Sequence, residues 1–209
     1  MLDPIACLKK NLEASIRAKH QLLADIDGLS IFSEAMTTVI DRYRHGGRIY
    51  IAGNGGSAAD AQHLAAEFIG KLARDRAPLP AEALTVDSSI LTAIGNDYGY
   101  DEIFSRQIAG KATDKDVFLG ITTSGHSSNI LKALEQCRLM GVPSIVFSGH
   151  DGGAARLMAD YCIVAPGAST STIQELHIVL AHTLCECVES AIFFTDISTT
   201  RKGNQKVTT

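Results

Sequence analysis

Apolar side chains recur every three to four residues along the first 45 positions, and the pattern then changes to short apolar runs separated by helical stretches. From Leu2 to Asp27 the apolar positions are Ile5, Leu8, Leu12, Ile16, Leu22, Leu23 and Ile26, which is a helical period. Gly28-Leu29-Ser30 reads as a break. Ile31 to His45 then predicts a second helix, stopped by Gly46-Gly47. Two amphipathic helices ahead of the first strand exceed what one sheet face needs, so they suit capping the core or building a subunit interface.

From Arg48 the texture is that of an α/β protein. Strands are predicted at Arg48–Ala52, Ala81–Val86, Asp116–Ile121, Val142–Ser148 and Tyr161–Val164. Helices are predicted from Ser57 to Leu72 with Ser57 as N-cap, from Ser88 to Ile94 ending at Gly95, and from Asp101 to Gly110. Others run to Met140, from Gly153 to Ala159, and from Ser171 to Phe194. Strands separated by helices imply a five-stranded parallel sheet with helices on both faces. Residues 1–194 form one expected domain, with N-terminal helices over 1–45 and an α/β core over 46–194. The polar stretch 195–209 has no apolar period and is expected to be disordered.

Composition narrows the function classes. A chain of 209 residues with 45% apolar and 20% charged positions has the make-up of a single globular domain, which excludes long-range disorder and fibrous architectures. The formal net charge of −4 makes a general nucleic-acid binder a poor fit, but leaves room for a small anionic ligand held by local donors. Cys7, Cys137, Cys162, Cys185 and Cys187 are odd in number and lack CxxC spacing, so they read as reduced, mostly buried thiols of a cytoplasmic protein. The first residues carry Asp3, Pro4, Lys9 and Lys10 and no apolar leader, and no apolar run is expected to span a membrane.

Two strand-to-helix junctions are rich in Gly, Ser and Thr. The first is Gly53-Asn54-Gly55-Gly56-Ser57 and the second Thr122-Thr123-Ser124-Gly125-His126-Ser127-Ser128. In open α/β sheets ligands bind beyond the carboxyl ends of the strands. Glycines admit close approach of backbone, helix starts offer free N–H groups, and hydroxyls add donors, which together describe a phosphate cradle without lysine. Neither junction is a Walker A motif, and the first has Ala58 where a dinucleotide fingerprint has its third Gly. Either loop taken alone is equally compatible with a plain tight turn.

A second constellation lies on helices. His63 and Glu67 are four apart, so they share a face, which suits metal binding or a positioned acid and base. Gln174, His177 and His182 lie on the last helix. Gln174 and His182 are about 12 Å apart along the axis, so one metal reaches both only if the side chains lean together or one comes from a neighbouring subunit. A histidine in so apolar a helix also fits a satisfied core position.

The stretches AGNGGSAADAQHLAAEF (52–68), LTAIGNDYGY (91–100), ITTSGHSSNI (121–130) and IQELHIVLAH (173–182) resemble the SIS (sugar isomerase) domain family, and within it the bacterial phosphoheptose isomerases, over nearly the whole chain to Phe194. The resemblance implies a three-layer αβα sandwich, a homotetramer with active sites between subunits, and isomerisation of sedoheptulose 7-phosphate to D-glycero-D-manno-heptose 7-phosphate through an enediol, the first step toward nucleotide-activated heptose for lipopolysaccharide or related glycans. It implies that Ser57, Thr122, Thr123, Ser124 and Ser127 hold the sugar phosphate. Asn54, Gly55, Gly56, Asn96 and Asp97 line the rest of the substrate site, with Glu67 and Gln174. His63, Glu67, Gln174 and His182 match positions where some members bind zinc, one per subunit. Glu67 and His182 match the catalytic pair, with Glu67 toward carbon and His182 between the oxygens, or the reverse. Lys71 stands where the family pattern has an Arg, which keeps the charge and loses the bidentate fork. Ser171-Thr172 stand where some members carry an Asp. A different class, the non-catalytic SIS modules that bind a replication-initiator-type partner, shares the loops but lacks the acid and histidine that this chain has at Glu67 and His182.

Overall fold

The structure, a computed structural model, describes residues 3–194. The expected disordered segment 195–209 lies outside the described residues. The elements run α1 (Pro4–Ala24), α2 (Ile26–Arg44), β1 (Ile49–Gly53), α3 (Gly56–Ile69), β2 (Ala81–Ala83), α4 (Ser88–Asp97), α5 (Ser105–Lys111), β3 (Val117–Ile121), α6 (Ser128–Met140), β4 (Ser144–Gly149), α7 (Ala155–Met158), β5 (Tyr161–Ala165) and α8 (Thr170–Glu189). A 3-10 turn covers Tyr100–Glu102, and a π-helical turn, Ser190–Phe194, extends α8.

All strand pairs are parallel, in the order β2-β1-β3-β4-β5. Strands β1, β3 and β4 are buried along their whole length, as expected of a sheet covered on both faces. Side chains alternate between two apolar layers. Ile49 and Ile51, with Leu119, Phe147 and Ile163, meet α1, α2, α3 and α8 on one face. Tyr50, Ala52, Phe118 and Val146 meet α5, α6 and α7 on the other, with Leu91 and Ile94 of α4 packed alongside. The fold is therefore the expected α/β three-layer sandwich on a five-stranded parallel sheet.

Several boundaries differ from the expected ones, each for a local reason. The first two helices break at Asp25, not at Gly28-Leu29-Ser30, because the Asp25 carboxylate accepts from Gly28 N (3.0 Å) and caps α2, while its own N–H goes to Leu22 O (3.2 Å). Helix α4 runs through Gly95 to Asp97, and Gly99, at φ 97°, makes the turn that follows. The expected helix 101–110 is a 3-10 turn followed by the shorter α5. Helix α3 starts at Gly56 with Gly55 as N-cap, so Ser57 lies inside the first turn and is not the cap.

Residues Thr170–Phe194 are long and apolar enough, at mean hydropathy 1.4, to pass for a membrane span by length and composition. The helix packs on α1, α2, α3 and β4 and buries Ile173, Leu176, Leu180, Leu184 and Val188, so it is a core helix. Helix α1 behaves differently. It turns only Ser15, Ala18 and Leu22 inward, and leaves Ile5, Leu8, Leu12, Ile16 and Leu23 exposed by 54–72%.

Candidate active site

Strand β1 sits between β2 and β3, so the chain leaves β1 toward one edge and returns on the other side. The crevice at such a switch point lies between the carboxyl ends of β1 and β3. Both Gly/Ser-rich junctions open there. A reciprocal amide pair joins them: Asn54 Nδ2 donates to Asn129 Oδ1 (2.9 Å), and Asn129 Nδ2 donates to Asn54 Oδ1 (2.8 Å). Tyr100 Oη also donates to Asn54 Oδ1 (3.1 Å), which brings the end of the 91–100 stretch to the same crevice. Asn129 and Tyr100 were not singled out from the sequence, and pairing across 75 residues leaves no local signal.

Six described helices have ten or more residues. Four of them, α1, α2, α4 and α8, are capped by the side chain of Asp3, Asp25, Asp87 or Ser169. The two without a side-chain cap are α3 and α6, whose N-termini face the crevice. Ser127 stands at the N-cap of α6, yet its hydroxyl pairs with Thr122 Oγ1 (3.0 Å) rather than with the helix. Helix N-termini left open in this way favour an anion. Ser57 and Thr122 are buried, Thr123 is half-buried, and Ser124 is exposed and accepts from His126 N (3.1 Å). The second loop is held tightly from behind. Gly125 has φ 68°, and a Cβ there would lie 2.1 Å from Gly152 O, so only glycine fits.

Helices α3 and α8 bring the second constellation together within one chain. His63 Nε2 lies 3.0 Å from His182 Nε2, 3.2 Å from Glu67 Oε1, and Glu67 Oε1 lies 3.6 Å from His182 Nε2. Three lone-pair-bearing atoms this close repel one another unless a proton or a cation lies among them. Two imidazole nitrogens and a carboxylate oxygen, all within 4.8 Å of one another, are a donor set that can hold a metal ion and leave a coordination position open. Among the described residues Glu67 Oε2 is buried with no hydrogen-bond partner. Beneath, on α8, burial first and the Glu67 charge second push the Cys185 thiol up to about 12, so it stays protonated.

Gln174 is not beside this cluster. It lies two turns earlier on α8, its amide nitrogen 2.4 Å from where a Cβ on Gly56 would stand. There it lines a cleft of about 510 Å³ with Lys19, Asp60, Ser171 and Glu175. Asp60 Oδ2 is buried and has no hydrogen-bond partner among the described residues, and burial raises its carboxyl against an opposing effect of His63. Asn96 and Asp97 are exposed at the end of α4 and hydrogen bond to each other (2.8 Å). Lys71 is exposed beside Asp75 (3.9 Å).

His177 proves to be the core alternative. It is fully buried, one ring nitrogen donates to Ser148 O (2.9 Å), and burial lowers its pKa. A buried ion pair, Arg76 with Glu189 (3.0 Å), lies behind the cluster and carries no signal in the local sequence. Burial alone would raise the Glu189 carboxyl, but hydrogen bonds from Arg74 N, Arg76 and Leu72 N hold it below the usual range.

The SIS domain family model matches residues 16–149. The phosphoheptose isomerase of Aneurinibacillus thermoaerophilus is 49% identical over 186 residues, which covers 89% of this chain and 94% of that protein. Among solved structures, phosphoheptose isomerase from Neisseria gonorrhoeae aligns at TM-score 0.83 and 38% identity, and that from Francisella tularensis at 0.85 and 32%. Each alignment covers 90% of this chain and 100% of the other. With its crevice, its paired loops and these relatives, the chain belongs to the SIS-domain phosphoheptose isomerase family.

Proposed function

We propose that the protein isomerises sedoheptulose 7-phosphate to D-glycero-D-manno-heptose 7-phosphate, with Glu67 and His182 as the reacting pair. The observation that carries the reading is the convergence of Glu67 with His63 and His182 on α3 and α8, in a chain whose β1–β3 crevice meets two helix starts without side-chain caps. Ser57, Thr122, Thr123, Ser124 and Ser127, with the open starts of α3 and α6, hold the distal phosphate. Asn54, Gly55, Gly56, Asn96, Asp97 and Gln174 line the path of the sugar. Binding energy from the phosphate, far from the reacting carbons, fixes where C1 and C2 lie.

Glu67 takes a proton from C1, and the electron pair left behind forms the C1–C2 double bond while the C2 carbonyl oxygen gains a proton from His182. The enediol then gives its O1 proton to His182, the electrons return, and Glu67 delivers its proton to C2. No atom is gained or lost. His63, Glu67 and His182 fit zinc, with Gln174 contributed by a neighbouring copy. Bound there, zinc would act as a Lewis acid toward the sugar carbonyl.

The exposed apolar stripe of α1 supports self-association, here as a homotetramer, since Ile5, Leu8, Leu12 and Ile16 are 54–66% exposed in the single chain. The buried thiols of Cys137 and Cys185 support a reducing compartment, the cytoplasm. Residues 1–194 act as one SIS domain, and the reaction opens the route to nucleotide-activated heptose for surface glycans. The test is proton NMR of sedoheptulose 7-phosphate with the purified, zinc-supplied protein in D₂O. New aldose anomeric signals with deuterium at C2 are expected. Folded protein that gives neither product nor exchange overturns the reading.

A further inference from the structure

We propose that Arg76 is a positioning residue for the Glu67–His182 pair, acting through a buried contact with Glu189 that clamps together the C-terminal ends of α3 and α8. The inference rests on Glu67 and His182 being the reacting pair.

Glu67 sits in the last turn of α3, which ends at Ile69. Carbonyls in a final turn have no partners inside the helix, and such a turn frays unless something receives them. Arg76 receives them. Its Nη2 donates to the carbonyl of Glu67 itself (2.9 Å), and its Nη1 donates to Phe68 O (2.7 Å), Gly70 O (3.2 Å) and Ala77 O (3.1 Å). Nε donates to Glu189 Oε2 (3.0 Å). The Arg76 and Glu189 side chains are 1% and 5% exposed, and Phe193 of the π-helical turn lies 5.7 Å from the guanidinium.

Glu189 is the last residue of α8, seven positions after His182 and so on the same face two turns on. Its carboxylate also accepts from Arg74 N (3.1 Å), which draws the 70–76 segment over the helix ends. One guanidinium is thereby tied to the backbone that carries the acid and to the helix that carries the histidine. The 3.6 Å separation of Glu67 and His182 depends on how these two helix ends are registered. A displacement near 1 Å at a reacting group costs on the order of a hundredfold in rate.

A buried ion pair can also be mere packing. Replacing both members by apolar residues is often tolerated by the fold, whereas removing one leaves an uncompensated buried charge. The experiment therefore compares Arg76→Met/Glu189→Met and Arg76→Lys with the parent protein and with Glu67→Gln. It measures kcat and KM for sedoheptulose 7-phosphate, the melting transition, and the ring resonances of selectively labelled histidines.

The expected result is a folded double variant whose kcat falls about ten- to a hundredfold with KM within about twofold. Resonances of His63 and His182 move while that of His177 stays, and Arg76→Lys recovers part of kcat. If the double variant does not fold, Arg76→Lys decides, because it keeps the charge but cannot reach all the carbonyls. A lysine variant with reduced kcat, unchanged KM and unchanged melting supports the clamp. A folded variant with parental kcat, or one whose KM rises as far as its kcat falls, overturns it while Glu67→Gln stays inactive. An active Glu67→Gln instead overturns the reading of the reacting pair, and the clamp with it.

Discussion

One carboxylate oxygen of Glu67 is turned to two imidazoles, and the other is buried without a hydrogen-bond partner among the described residues. Such a group is costly to keep unless it is used, and the amide that replaces it shows what the charge does. Glu67→Gln is expected to fold normally and to lose about 10²- to 10⁴-fold in turnover in the NMR assay, the range of a general acid–base group. Retained turnover would remove Glu67 from the mechanism. His177, on the same helix as His182, is used oppositely. Burial lowers its pKa, so below about pH 6.5 the unfolded chain takes up a proton that the folded core refuses. Its contribution to stability is complete above about pH 6.5 and is lost as the pH falls toward the folded value. Urea midpoints across this range are expected to drop with acid in the parent protein, and to drop less in His177→Gln.

At the scale of elements, the two Gly/Ser loops are shaped by what packs behind them. Gly125→Ala forces a side chain into the left-handed region at a cost of about 1–2 kcal/mol, before its clash with Gly152 O is counted. Lower urea stability is expected, with KM raised more than kcat is lowered; an unchanged KM would place the phosphate elsewhere. Periodicity and turn residues made the strands and both loops legible, because each is encoded within a few consecutive positions. Helix starts were less legible, since α2 begins at the Asp25 cap ahead of the expected Gly28-Leu29-Ser30 break, and Gly55 takes the capping role that Ser57 suggested. The pairing of Asn54 with Asn129 across 75 residues, and of Arg76 with Glu189 across 113, could not be read at all. His63, Glu67 and His182 were named from spacing and resemblance. Only the packing of α3 on α8 places them within reach of one another, and leaves Gln174 apart.

For the whole molecule, the apolar stripe on α1 sets the quaternary expectation. Leu12→Asp with Ile16→Asp changes exposed positions and leaves the α1 core contacts at Ala18 and Leu22 intact. The variant is expected to keep its circular dichroism and to shift to a smaller species in light scattering, with activity falling if Gln174 serves a neighbour's site. An unchanged mass would place the interface elsewhere.

In the proposed function the cradle at the switch point holds its anion with backbone N–H groups and hydroxyls; no lysine or arginine stands within either loop, and the molecule as a whole carries a net charge of −4. A doubly charged sugar phosphate thus approaches against the long-range field, and is held only once it reaches hydrogen-bonding distance. Added salt screens the repulsion and has no loop cation to screen. KM is therefore expected to stay level or fall as ionic strength rises, the reverse of an enzyme that draws its substrate in by charge.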